Sequence, residues 1–239
     1  MPKKEKIIRF IGVLICEAFA IITVFMLIDC KQYDKLFLAA TTTLLVLLPE
    51  FAEKIFKCKI SLPVYLICLF YAIGPMLGHS HNLYYLIPWW DKLLHILGGV
   101  MFAFLGLFLF EKFVGKDQKN IVMTAIFGLC FSMAIAVLWE FCEFGADTFL
   151  EMDMQDDVVV DHINSYLLDD GIGVAGSIAN IDEVIVNGEK LPVKGYIDIG
   201  LTDSMLDMLL ETVGAIIISG IYIISSGKFV VFKTKEGVA

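Results

Sequence analysis

The sequence has no C-x-x-C pair, although it holds six cysteines: Cys16, Cys30, Cys58, Cys68, Cys130 and Cys142. Most fall inside apolar runs, where cysteine packs as a small hydrophobe, so neither a zinc finger nor a disulfide framework is indicated. The polar stretch from 144 to 204 lacks cysteine altogether, so no disulfide staples it. Internal repeats and low-complexity tracts are absent as well. No A-x-A site follows the first apolar run, and Asp29 precedes Cys30 where a lipoprotein signal wants a small residue. That run therefore reads as a retained span and not as a signal peptide. The acidic set Asp153, Asp156, Asp157, Asp161, Asp169 and Asp170 lacks the EF-hand spacing, which leaves a solvated acidic surface as its reading.

What the chain has is apolar length. Its 239 residues are 58% hydrophobic, with a mean hydropathy of +0.79, too apolar for a soluble domain. A bilayer crossing takes ~20 residues at ~1.5 Å each. Six stretches meet that demand, over about 7–28, 36–53, 61–78, 91–110, 121–144 and 204–225. The expected fold is all-α: a polytopic transmembrane helical bundle forming one membrane domain over 1–239, with 145–203 as a long external insertion.

Charge locates the insertion and orients the bundle. Residues 144–204 hold thirteen acids and two lysines, so the net charge of −9 belongs to that loop and the remainder of the chain is slightly basic. Thirteen of the 18 basic residues fall on one side of the expected topology: Lys3, Lys4, Lys6, Arg9, Lys54, Lys57, Lys59, Lys112, Lys116, Lys119, Lys228, Lys233 and Lys235. Lys31, Lys35, Lys92, Lys190 and Lys194 fall on the other. The positive-inside rule then places both termini in the cytoplasm of a prokaryote, with the protein in its cytoplasmic (inner) membrane. In the loop, Met152 to Gly176 reads as turn-rich. Glu183 to Val193 reads as a β-hairpin around Asn187-Gly188, a pair suited to a type I′ turn.

Three polar stripes carry the chemistry. Trp89 and Trp90 mark a membrane boundary, and Asp91 and His95 follow four residues apart on one helix face. Glu140, Glu143 and Asp147 form a second stripe; Asp203, Asp207 and Glu211 form a third. Along the expected spans, His95 lies ~6 Å deeper than Asp91, Glu140 ~10 Å deeper than Asp147, and Glu211 ~12 Å deeper than Asp203. All three stripes then occupy the outer leaflet. Capping explains an acid in a first turn but not His95, Glu140, Asp207 or Glu211, which lie a turn or more inside. Carboxylates sharing such a site need a cation or shared protons, so metal binding, proton handling and a buried polar network remain open. In the metal reading Asp91, His95, Glu143, Asp207 and Glu211 are the candidate ligands of a divalent metal ion, and His95 or Glu140 is the catalytic acid–base.

Other motifs carry less. Gly171-x-Gly173-x-x-Gly176 matches a dinucleotide fingerprint, but no strand precedes it and Asp169 and Asp170 would repel a pyrophosphate, so it reads as a turn. His79-Ser80-His81 reads as a hydrated loop, with an H-x-H metal pair as the alternative. Glu50 has Lys54 and Lys57 as ready partners. Glu17, mid-span, is open between a neutral hydrogen-bonded acid and membership of the central site.

Asp91-Lys92-x-x-His95, followed by Asp203-x-x-x-Asp207-x-x-x-Glu211-x-x-Gly214-Ala215, resembles the VanZ-like pattern. With Trp139-Glu140-x-x-Glu143 and Asp203-Ser204-Met205-x-Asp207 added, the set resembles the YjdF-type bacterial membrane proteins. The resemblance runs from about Trp89 to Gly214 and implies a cell-envelope setting, without an established reaction. Two function classes follow: an enzyme acting on an envelope lipid or lipid-linked substrate, or a transporter or envelope-binding protein that binds protons or cations. The expected partner is membrane lipid, with no nucleic acid; the oligomeric state stays open.

Overall fold

A computed structural model describes residues 2–114, 120–227 and 232–234; Lys116, Lys119, Lys228 and Lys235 of the charge count lie outside the described residues. Among the described residues, six helices are long and apolar enough to cross a membrane: α1 (Lys3–Asp29), α2 (Leu36–Ile55), α3 (Leu62–Ser80), α5 (Trp90–Val114), α6 (Ile121–Leu150) and α7 (Leu201–Ile224). A one-turn helix, α4 (Leu83–Leu86), joins α3 to α5. Strands are short and paired in twos, so the fold class is a helical polytopic bundle. Large apolar side chains such as Phe10, Phe25, Phe37, Leu44 and Phe141 stay exposed on the spans, as they would if hydrocarbon were the solvent.

Two compact units divide the chain: Met1–Ala136 with Leu209–Ala239, and Val137–Met208. In the first unit, α1, α2 and α3 pack on one another and α3 packs on α5. Its larger core joins Val46 of α2, Tyr65 and Leu69 of α3, Ala103, Phe104 and Leu107 of α5, Ala125 of α6, and Ala215 and Ile218 of α7. A smaller core of Ala20, Leu27, Ala39 and Met76 links α1, α2 and α3. Strand β1 (Cys58–Ile60), after α2, pairs antiparallel with β8 (Phe232–Thr234) near the C-terminus.

Small residues decide how closely these helices approach, as expected where hydrocarbon supplies no drive for helices to associate. A Cβ on Gly74 of α3 would sit 2.4 Å from Leu94 of α5, and one on Gly106 of α5 would sit 2.9 Å from the Cα of Gly128 in α6.

The second unit holds the far part of α6, the loop and the first turns of α7. Here α6 runs six residues past the expected end at 144, stopping at Leu150, where Glu151 takes a positive φ of 54°. The extension is held by Asp147, whose carboxylate accepts the amides of Met154 (2.6 Å) and Gln155 (2.9 Å) and so fixes the chain reversal. The loop is more ordered than its composition suggests. Strand β2 (Val159–Val160) pairs with β7 (Tyr196–Ile197), and β3 (Ile163–Ser165) pairs with β4 (Gly176–Ile178). Strand β5 (Ile185–Val186) pairs with β6 (Glu189–Lys190) around Asn187 and Gly188, whose φ values of 52° and 87° suit the expected type I′ turn. Gly171 to Gly176 forms an exposed turn ending in β4, with no helix after it, so it offers no dinucleotide cradle.

A buried histidine–carboxylate cluster

The first unit builds its polar cluster at the start of α5. Trp90 is buried and its indole Nε1 donates to the carbonyl of Gly74 (3.1 Å), pinning the helix start against α3. Trp89 remains exposed, so only one of the pair is an interfacial ring. Asp91 lies in the first turn, where the helix dipole favours an anion. One turn on, His95 turns Nε2 towards Asp91 Oδ1 (3.5 Å) and Nδ1 towards Glu211 Oε2 of α7 (4.0 Å). Lys92 Nζ donates to Asp91 Oδ2 at 3.1 Å.

Backbone contact between α5 and α7 sets this pairing. A Cβ on Gly99 would lie 1.9 Å from the carbonyl oxygen of Glu211, and one on Gly214 would lie 2.3 Å from the carbonyl oxygen of Ile96. Glycine at both positions lets the two backbones touch, which brings His95, one turn before Gly99, level with the Glu211 side chain. On α6, the Ser132 hydroxyl donates to the carbonyl of the same Gly99 (3.2 Å). The buried stripe of α6 then continues as Ala136, Glu140 and Glu143 at helical spacing. On α7 it reads Asp203, Ser204, Asp207, Glu211, Gly214 and Ala215.

Every inner member of the three expected stripes is buried: His95, Glu140, Glu143, Asp207 and Glu211 face protein. Asp207 is the most enclosed, with 1% of its surface exposed. In the second unit, Glu143 Oε1 accepts from the Trp139 indole (2.8 Å). Asp203 accepts the amide of Asp156 (3.2 Å), and Gln155 donates to Ser204 Oγ (2.5 Å). Asp147 and Asp203 thus anchor the loop. Other expectations change in detail. Glu50 does not pair with Lys54 or Lys57 among the described residues; it accepts from the Tyr65 hydroxyl at 3.3 Å. His81 hydrogen-bonds Thr23 (3.0 Å) and packs its ring on Phe19, which gives it a structural role in place of an H-x-H pair. Glu17 is half-buried, and its shielded Oε1 meets no hydrogen-bond partner among the described residues.

Charge-only reasoning treated Lys92 as a topology marker, yet it neutralises Asp91. The roles of Gly99 and Ser132 need a partner helix to show; their signal in the sequence is the small-residue spacing Gly99-x6-Gly106 on α5 and Gly128-x3-Ser132-x3-Ala136 on α6.

Six apolar spans among the described residues, with buried histidine and carboxylate side chains on three of them, define an integral, polytopic α-helical membrane protein. The chain belongs to the family described as "Predicted membrane protein (DUF2238)", whose model matches residues 11–227. No curated protein and no solved structure matches it.

Proposed function

We propose that Asp91, His95 and Glu211 bind one divalent cation within the membrane domain, and that this cation serves chemistry on an envelope lipid or lipid-linked substrate. The observation that carries the reading is His95, buried between Asp91 and Glu211 with a ring nitrogen directed at each. One imidazole with several carboxylates suits Zn²⁺, Mn²⁺ or Fe²⁺. Such an ion polarises a phosphoryl or carbonyl oxygen, or lowers the pKa of a bound water. Glu140 and Glu143 on the buried stripe of α6, and Asp207 on that of α7, are candidates by helical spacing and burial alone: Glu140 as an acid–base, Glu143 and Asp207 as ligands. The finer kinship with VanZ-like and YjdF-type proteins, the inner-membrane location and the N-in, C-in orientation belong to the same proposal.

A second reading keeps the site and removes the reaction: His95 and its carboxylates take up protons or cations for transport. The same observation supports it, because an imidazole between carboxylates can take up or release a proton. Protein purified in detergent, equilibrated with Zn²⁺ or Mn²⁺ and desalted, should retain near-stoichiometric metal. His95→Ala and Glu211→Gln should lose it, whereas Glu140→Gln should keep it. Wild-type protein that retains no metal removes the enzyme reading and leaves the proton-binding one.

A further inference from the structure

At the opposite end of the first unit from His95, α1 begins, α2 ends and β1 follows, and a cavity of about 290 Å³ opens there. Its lining includes Lys6, Phe10 and Val13 of α1 with Leu47, Glu50 and Lys54 of α2. The spacing repeats on both helices. Lys6 to Val13 and Leu47 to Lys54 are each seven residues, so each ammonium stands ~10 Å from the apolar residue that shares its face. The helices run in opposite senses, so both lysines lie at one end of the cavity and both aliphatic side chains at the other.

The charges at this end are not equally committed. Arg9 is buried and spends its guanidinium on Glu53 (2.6 Å), on Glu5 (3.0 Å) and on the carbonyl of Ile60, while Lys59 pairs with the second oxygen of Glu53. Lys6 and Lys54 are exposed and make no ion pair among the described residues; Lys54 lies 5.7 Å from the Phe51 ring. Glu50, the remaining carboxylate, takes the Tyr65 hydroxyl. Two uncommitted ammoniums against one carboxylate leave a positive surplus. Arg9 Nε, in the same lining, also has no acceptor among the described residues.

We propose that this cavity is a binding site for an anionic phospholipid. The phosphate sits between Lys6 and Lys54, and an acyl chain follows Phe10, Val13 and Leu47 into the membrane. A basic pocket between spans, at headgroup depth and continuous with an apolar groove, matches both halves of such a lipid. The surplus charge selects an anionic headgroup over a zwitterionic one, and the groove selects a lipid over free phosphate.

The test uses full-length protein in a neutral detergent, with binding of phosphatidylglycerol read by native mass spectrometry. Phosphatidylcholine and inorganic phosphate serve as the other two ligands. Wild-type protein should retain phosphatidylglycerol, and Lys6→Ser with Lys54→Ser together should weaken it about thirtyfold, from ~1 kcal/mol for each basic residue at a membrane surface. Lys3→Ser with Lys4→Ser removes the same charge outside the cavity and should change binding less than about twofold. Leu47→Trp, which fills the groove and leaves both lysines, should also displace the lipid. Equal losses from the two lysine pairs, equal retention of phosphatidylcholine, or full competition by inorganic phosphate would each overturn the proposal. Both lysines are exposed, so folding should survive their replacement, and a melting curve for each variant checks that it does.

Discussion

The first unit holds two buried ionic clusters that balance charge by different means. Around Arg9, Glu53 and Lys59, permanent cations meet permanent anions: Arg9 serves Glu53 and Glu5, and Lys59 completes Glu53. The amide of Ile60 adds a further bond to Glu53 at 2.8 Å. Around His95, Lys92 answers Asp91, and the imidazole lies between the Asp91 and Glu211 carboxylates. In the first cluster both carboxylate oxygens of Glu53 meet a cation. The second sets an imidazole, which can be neutral or protonated, among carboxylates, a donor set suited to a metal ion. The difference separates a structural lock from a site.

The sharpest break of that comparison is Glu53→Gln. It leaves a buried guanidinium short of its main counter-charge and should cost about 3 kcal/mol, seen as a large drop in melting temperature in detergent. His95→Ala should cost less, about 1 kcal/mol, the net worth of an ordinary hydrogen bond, while cation binding is lost. Equal stability losses would show that the two clusters do one job.

Next in size are the two glycines. Gly99→Ala and Gly214→Ala each push a Cβ into the facing backbone and should cost about 1–3 kcal/mol. Cation affinity should fall with them, because the helix contact that aligns Glu211 with His95 opens. Gly220→Ala, with open space at its Cβ, serves as the control. If Gly99→Ala melts like Gly220→Ala, close helix contact is not what sets the site.

The smallest effect belongs to pH at the start of α7. Burial raises the acid pKa of Asp198, but hydrogen bonds from Thr202 and from the amides of Val158 and Gly200 outweigh it, and the carboxyl lies below its ordinary value. Protons therefore bind the unfolded chain first. The stability Asp198 contributes is present above its unfolded pKa and is lost as pH falls through the lower folded value. Asp198→Asn should flatten that acid limb slightly in a melting series and leave neutral pH unchanged. An equally steep limb in the variant would assign the acid sensitivity to other carboxylates.

The spans were legible because a bilayer demands length, and length is written locally. The stripes were legible for a related reason: a helix repeats its face every three or four residues, so Asp207 and Glu211 had to face one way whatever packed against them. The β5–β6 hairpin announced itself through Asn187-Gly188. Contacts far apart in sequence were not readable. Arg9 counted only as a topology charge because its partner Glu53 lies 44 residues away, and Glu50 was assigned to its near neighbours because proximity along the chain was the only guide. Strands β2 and β7, two residues each, are too short to show alternation. The roles of Asp147 and Asp203 as anchors for loop amides depend on a fold-back that acidic composition does not suggest.

The most direct test of the site is a double-mutant cycle on cation affinity, measured by calorimetry with Mn²⁺ or Zn²⁺ on wild type, His95→Ala, Glu211→Gln and the double variant. If both residues hold one cation, each single change should weaken binding by at least about tenfold, and the double variant should bind little worse than either. Independent, multiplying losses would contradict the account, and so would an Glu211→Gln variant that binds like wild type.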